Sequence, residues 1–497
     1  MTYSIAMPAP AASTLDSLPA ELRRLLLQHA REVADLATAF LEQPPTPVTT
    51  HQFENDLAQR VQALARSVVE WTYNRFEPDD PPATPVPILW EGNAYRRKAK
   101  SHNRSLNCLF GRINLYRHPY EAVDTPEPAI FPLEIALGIE AQRATPALAE
   151  RAGYAAAAHT QGNVQNLLAH YHGVHWSVTV LRKVTASFSQ GMAEHRQATQ
   201  AAQLVEALRQ ASKSTGPHQP TVCVGRDGVM VPLRGSQAYA EAATGTVSVL
   251  DRRGQRVCTV YLGRMPEKEQ ETLSRQLTSL LLSLMVSWTG ALPRWQYVTD
   301  GGHQPTAYFR DVLRRMRHPL TQERLPWEWV IDFFHASGYL TKLGEALYGT
   351  TRKGVGWSAK MRRWLRHKRG GIQRVLYSAA AVRARKKLSA GRERDYGKAW
   401  RYLQRRKRRM DYAGYKRRGL AVGSGVTEAA CKTVFTQRVK QSGMRWGREG
   451  GQLIVDLRIL VLSRVWRQAH QAYLASKPQL EMGSIWKTDV KTVGKAA

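Results

Sequence analysis

From Leu15 to about Arg75 the chain carries apolar residues at helical spacing, as in ELRRLLLQHAREVADLATAFLE, which predicts amphipathic helices. The Pro-rich run DDPPATPVP breaks that pattern. Between Ile88 and about Ala122 the texture changes to short alternating runs such as LNCLFGRINLYRH, which predict two or three strands in a small β element. Helical spacing returns from Thr145 to Gln190. There the segment NVQNLLAHYHGVHWSVTVLRKVTASF sets Gly173 between two helical stretches, the second opening at Ser177. This is a helix-turn-helix pattern, although helical hairpins with a Gly turn are also abundant in proteins that touch no DNA.

At Thr221 a different series begins. TVCVGRDGVMVPLR reads as an apolar strand, and TGTVSVLDRRGQRVCTVYLGR as two strands joined by a turn at Asp251 to Gly254. A long helix follows from about Glu267 to Trp288, then strand WQYVTD, helix PTAYFRDVLRRM with Pro305 near its first turn, and strand WEWVIDFF. The order β-β-β-α-β-α-β predicts an α/β core of the ribonuclease H-like type, in which a three-stranded meander is extended by two parallel strands through helical crossovers and closed by a last helix. The expected organisation is a helical N-terminal region (1–85), the small β element (86–140), a helix-turn-helix-like DNA-binding region (141–215), a core made of 221–340 and 419–470, an all-α basic insertion (341–418) and a C-terminal tail (471–497).

Charge sharpens this picture. The 497 residues hold 72 Lys and Arg against 40 Asp and Glu, a formal net charge of +32. Such a balance calls for a polyanionic partner, of which nucleic acid is the commonest. Residues 341–418 alone contain 26 Lys or Arg against four acidic residues, with Trp357, Trp364, Trp400, Tyr402 and Tyr412 interleaved. A cluster this dense repels itself unless phosphates neutralise it, so DNA contact is expected there. Four scattered cysteines without metal-ligand spacing read as reduced thiols of an intracellular protein. The first residues, MTYSIAMPAPAAST, lack a signal-peptide pattern, and no run approaches the roughly 18 apolar residues of a membrane span. The expected location is the cytoplasm, on the nucleoid, with no membrane partner.

Within the core, three acids stand out. Asp227 lies in the first strand and is followed by Gly228, which lets a bulky substrate approach the backbone. Asp300 ends the fourth strand before Gly301 and Gly302, at the carboxyl end where α/β sheets place functional groups, although Asp-Gly alone is commonly a turn. The first and fourth strands are neighbours in the expected topology, so the two aspartates should converge. Glu428 lies in GSGVTEAACKTVFTQRVKQSGMRW, where Ser424 is a candidate N-cap and an acid in the first turn is a normal capping feature. As part of the last helix it would instead face the two aspartates. Three hard carboxylates with open coordination suit Mg²⁺ or Mn²⁺, and two such ions about 3.5–4 Å apart serve phosphodiester chemistry. Asp332 and His335 form D-x-x-H at the end of the fifth strand. Asp332 ranks below the other three as a ligand, and His335 is expected among the catalytic residues, on the scissile phosphate or a flanking base, although it reads equally as a satisfied structural histidine. Beyond Glu428, Arg438, Lys440 and Arg445 are expected to hold phosphates, with Trp446 stacking on a displaced base.

The segments GRDGVMVPLR, GTVSVLDRRGQRVCTVYLGRMPEK, VTDGGHQPTAYF, VIDFFHASGYL and VGSGVTEAACKTVFTQRVKQSGMRW, in this order and spacing, resemble the bacterial insertion-sequence transposases of the Kra group, distant relatives of Mutator-like elements. The likeness runs from about Ile88 to Leu474. It implies that Asp227, Asp300 and Glu428 are the catalytic and metal-binding acids, and that Asp332 and His335 match an accessory C/D-x-x-H motif. Many of those relatives carry a cysteine pair before the core; YRHPYEAVDTPEP has none, so a zinc site is not expected there. The resemblance further implies metal-dependent cleavage at terminal inverted repeats, attack of the freed 3′-hydroxyl on target DNA, and a homo-oligomer, a dimer on paired ends. Two rivals share these features: a DNA-binding protein that has lost catalysis, and a structure-selective nuclease on the same fold.

Overall fold

The computed structural model describes residues 15–77, 87–236, 238–478 and 480. The N-terminal run, the Pro-rich break except for its last residue, and most of the expected C-terminal tail lie outside the described residues. The chain divides into two compact units, with boundaries at Phe188/Ser189 and Tyr473/Leu474.

In the first unit, α1 (Ala20–Leu41) and α2 (Pro47–Arg75) form a helical pair with Phe40 and Phe53 stacked at 4.4 Å between ring centroids. Thr46 starts α2 by a reciprocal cap: its Oγ1 accepts from Thr49 N at 3.1 Å, while Thr49 Oγ1 accepts from Thr46 N at 2.9 Å. The small β element has five strands rather than two or three. β1 (Ile88–Trp90), β2 (Asn93–Arg97) and β5 (Tyr120–Ala122) make one antiparallel sheet, and β3 (His102–Cys108) with β4 (Gly111–Arg117) a hairpin. β1 and β5 are three residues long, too short for alternation to register in sequence. Glu70 and Asn74, one turn apart on α2, accept from Asn114 N and Tyr116 N of β4 at 2.9 and 2.8 Å. An edge that would otherwise leave its amides unpaired is thereby satisfied. Four helices follow: α3 (Pro132–Ala136), α4 (Pro146–Ala158), α5 (Gln161–His172) and α6 (Val178–Glu194), of which the part from Ser189 belongs to the second unit. Gly173, with φ +60°, ends α5, and Ser177 Oγ accepts from Val180 N at 3.3 Å to open α6.

The second unit is built on a five-stranded sheet. After α7 (Arg196–Lys213) come β6 (Thr221–Pro232), β7 (Tyr239–Leu250), β8 (Arg256–Arg264), α8 (Glu271–Ser287), β9 (Arg294–Thr299), α9 (His303–Asp311) and β10 (Trp327–Ile331). The strand order is β10-β9-β6-β7-β8. β6, β7 and β8 pair antiparallel, whereas β6–β9 and β9–β10 are parallel. β7 is buried without interruption from Ala242 to Leu250, as expected of a strand covered on both faces.

α10 (Phe333–Tyr348) leaves β10 and runs through residue 341, so the expected start of the insertion falls inside one continuous helix. The basic segment continues as α11 (Arg352–His367), α12 (Gly371–Ala384), α13 (Ala390–Arg406) and α14 (Tyr412–Arg417). Its apolar residues, among them Met361, Leu365, Val375 and Leu403, join the same buried cluster as Val224, Leu281, Val330 and Leu340. The interleaved aromatics belong to this packing. Tyr402 and Tyr412 are buried, and Trp357, Trp364 and Trp400 pack half-buried against the cluster. Many of the cations alternating with them are exposed, as are Tyr377 and Val355. The chain then returns through α15 (Gly425–Ala430), a π-helical stretch (Cys431–Thr436), α16 (Gln437–Val439), α17 (Arg448–Leu462) and α18 (Trp466–Ser476). Val434, Phe435, Val455 and Ile459 form a second core with Val231 and Met265.

Candidate active site

The parallel ladder between β6 and β9 runs from Thr221↔Arg294 to Gly225↔Val298. Carried two residues further, the same register sets Asp227 level with Asp300, where neighbouring strands stand roughly 4.8 Å apart. β9 ends at Thr299 while β6 continues along β7, so the two aspartates flank the point where the sheet opens.

Residues 225 and 227 face the same side of β6, and that side receives α15. A methyl on Gly225 would stand 2.0 Å from Thr427 Oγ1 and 2.9 Å from Thr246 Oγ1, so only glycine lets the helix sit this close. Thr427 Oγ1 and Thr246 Oγ1 hydrogen-bond at 2.8 Å, and Cys431, one turn on, donates to Thr244 Oγ1 at 3.5 Å. Thr246 and Thr244 are the β7 partners of Gly225 and Asp227. The helix is therefore pinned over both positions, with Glu428 on its exposed side. Directly after Ala430 it widens into a π turn, a rare form that is frequent at functional sites.

The Asp227 carboxyl is pushed up to about 6, by burial first and then by the negative charges of Asp300 and Glu428; the Gly228 N–H opposes the shift. Its charge is thus felt together with those of the other two acids. They do not form a ready ligand cage: among the described residues no group of three or more His, Cys, Asp or Glu could hold a metal ion as it stands. Instead, each acid is turned onto a local donor. Asp227 Oδ1 accepts from Gly228 N and Asp300 Oδ1 from Gly302 N, both at 2.8 Å, and Glu428 Oε1 accepts from Ser424 Oγ at 3.2 Å.

Asp332 is fully buried. Its Oδ1 accepts from His335 N at 2.6 Å as the N-cap of α10, and its Oδ2 accepts from Ser424 N and, at 2.9 Å, from Ser424 Oγ. The D-x-x-H spacing is thus the N-cap to N3 spacing of a helix start. Ser424 stands at the N-cap position of α15, yet its hydroxyl makes no cap bond and lies between Asp332 and Glu428. His335 is exposed, with its ring 5.5 Å from Tyr339 and 5.8 Å from Tyr402. Tyr402 Oη donates to Asp300 O at 2.6 Å, and Arg406 Nη2 to Gly301 O, so α13 holds the turn that carries Asp300.

One expectation is corrected outright. Arg438, expected at a phosphate, is 1 % exposed, with its guanidinium 5.1 Å from the Trp446 ring centroid; burial pushes its pKa down to about 10. Trp446, expected to stack on a base, is half-buried against the second core, and its backbone O accepts from Arg234 N at 2.9 Å. Lys440 stands 5.4 Å from the Tyr239 ring, and Arg445 is exposed with Nη1 on Ser236 O. The buried Arg226, which no sequence signal singled out, points to the opposite face from Asp227. It donates to Ser274 Oγ and Gln270 Oε1 at 2.9 Å each, and lies 4.5 Å from the Tyr308 ring. Alternation along GRDG could have flagged it, since adjacent strand residues face opposite sides.

Comparison with models of protein families and with curated proteins gives no match. No described helix is long and apolar enough to cross a membrane.

Proposed function

We propose that the second unit is a metal-dependent phosphodiester-processing enzyme of the ribonuclease H-like type. More particularly, we propose that the chain is a DNA transposase of the three-carboxylate kind. The observation that carries this reading is the β6–β9 register, which sets Asp227 beside Asp300 and leaves Glu428 on the helix seated over β6 and β7. The strand order β8-β7-β6-β9-β10, antiparallel then parallel, supports the fold part of it. The net +32 supports a nucleic-acid substrate.

Asp227, Asp300 and Glu428 would hold Mg²⁺ or Mn²⁺. Their all-oxygen donor set fits hard cations, and a bound cation would offset both the burial that chiefly raises the Asp227 pKa and the smaller repulsion from Asp300 and Glu428. When bound, such ions activate an attacking oxygen and stabilise a leaving one on phosphorus. The chain's own part would be to hold the three acids on β6, the end of β9 and α15, with Asp227 and Asp300 each oriented by a backbone amide, Gly228 N and Gly302 N. The Asp332–Ser424 contact fixes the start of the helix that bears Glu428.

Asp227→Ala, Asp300→Ala and Glu428→Ala should each abolish Mg²⁺-dependent cleavage of DNA carrying the terminal repeats, with DNA affinity retained. Cleavage surviving all three substitutions would refute the assignment. A strand-transfer assay separates a transposase, which joins ends, from a nuclease that only cuts.

A further inference from the structure

Beside the Asp300 turn, α10 and α13 enclose a groove of about 660 Å³. Six cations line it, Lys342, Arg392, Lys398, Arg401, Arg405 and Arg406, against two acids, Glu345 and Asp395. Lys398, Arg401 and Arg405 recur at helical spacing on the exposed side of α13, and Lys342 is exposed on α10 opposite. Among the described residues none of these four forms an ion pair. The wall is rigid: Tyr339 and Tyr402 stack at 3.7 Å, with Lys342 5.0 Å from one ring centroid and Arg406 4.2 Å from the other. The ring faces are already covered by cations, so what the groove offers a ligand is positive charge rather than a stacking platform.

We propose that this groove binds the sugar–phosphate backbone of a single DNA strand and leads it to the Asp300 turn; its identification as DNA rests on the function proposed above. A volume of about 660 Å³ is of small-molecule size, so the groove can seat the backbone of one strand but not enclose a duplex. Lys398 to Arg405 span roughly 10 Å along α13 at about 1.5 Å per residue, more than one phosphate occupies. The same wall touches the candidate site, because Tyr402 Oη donates to Asp300 O and Arg406 to Gly301 O. A strand seated here would run beside the turn that carries Asp300.

The test is fluorescence anisotropy of labelled oligothymidylate against the full chain and its Lys342→Gln/Arg401→Gln/Arg405→Gln variant across a salt series. Each single-strand phosphate contact contributes about 0.7 to the slope of log K against log[salt], so the triple variant should be shallower by about 2. Arg401→Gln and Arg405→Gln singly should each flatten it by about 0.7, with unchanged circular dichroism and melting. An unchanged slope in the folded variants overturns the groove. So does wild-type affinity for oligothymidylate no greater than for thymidine monophosphate, which would mark a free-nucleotide site. If groove binding holds and the wild type never cleaves DNA with Mg²⁺ or Mn²⁺, the enzyme reading fails and the groove stands. If cleavage occurs and the slopes do not move, the groove fails and the enzyme reading stands.

Discussion

Asp332→Asn distinguishes a carboxylate that holds a metal from one that holds the fold. The buried Asp332 side chain accepts from three donors, His335 N, Ser424 N and Ser424 Oγ, through two different oxygens. An asparagine keeps one oxygen and substitutes an NH₂ group for the other, so in either amide orientation a donor faces a buried backbone N–H. Losing a hydrogen bond to a charged acceptor costs roughly 1.5–3 kcal/mol, and stranding a buried donor is of similar size, so the variant should lose about 3 kcal/mol of stability. The Ser424 loop, held to Asp332 by its backbone N–H and its one hydroxyl proton, is then released, and the start of the helix that bears Glu428 loses its position. Urea unfolding followed by fluorescence reads the stability, and Mg²⁺-dependent DNA cleavage reads the site. Both should fall together, and Ser424→Ala should reproduce a milder form of each. If Asp332→Asn unfolds like the wild type while cleavage alone is abolished, Asp332 acts on the metal directly and the positioning argument is refuted.

Gly225→Ala should displace Thr427 and the Glu428 helix, costing about 1–3 kcal/mol by overpacking and lowering cleavage more than Val224→Ala at equal stability loss; equal activity in the two would remove the close-approach argument. Arg438→Ala should reduce stability by about 2 kcal/mol while leaving the salt slope of DNA binding unchanged, because its guanidinium is buried; a flattened slope would return it to the DNA interface. Glu77, buried beside Arg97 and Tyr120, has its carboxyl pushed up from 4.5 to about 7, chiefly by burial. The folded chain therefore holds this proton more tightly than the unfolded chain. The first unit should be most stable, as far as this group decides, below about pH 4.5, and should lose up to about 3 kcal/mol as pH rises to about 7. Glu77→Gln should remove that component from a comparison of urea midpoints at pH 5 and pH 8, and a pH dependence identical to the wild type would refute it. Binding of duplex DNA by the full chain should fall roughly 10³-fold between 50 and 200 mM salt if six or more phosphates are contacted, and a flat response would argue against the basic segment as a DNA surface.

Periodicity alone was enough to read the helices before residue 78, the turn at Gly173 and the β-β-β-α-β-α-β series, because each is a local property of three to four residues repeated along one element. The concentration of cations in 341–418 is likewise a property of the sequence. What the sequence could not decide depends on contacts between distant segments. The spacing of Asp332 and His335 is the same for an accessory catalytic motif and for a helix cap, and only Ser424, 92 positions on, shows the carboxylate turned inward. Arg438 and Arg405 are the same residue type in equally basic runs, yet one packs beneath Trp446 and the other lines an open groove. The aromatics among the cations suit a nucleic-acid surface in sequence, but burial in or against the common core takes most of the area of Trp357, Trp364, Trp400, Tyr402 and Tyr412, while Tyr377 stays exposed. Gly225 carries no sequence mark of its role, since the atom that requires it belongs to Thr427 on a helix that reaches it only after the whole basic segment has been traversed.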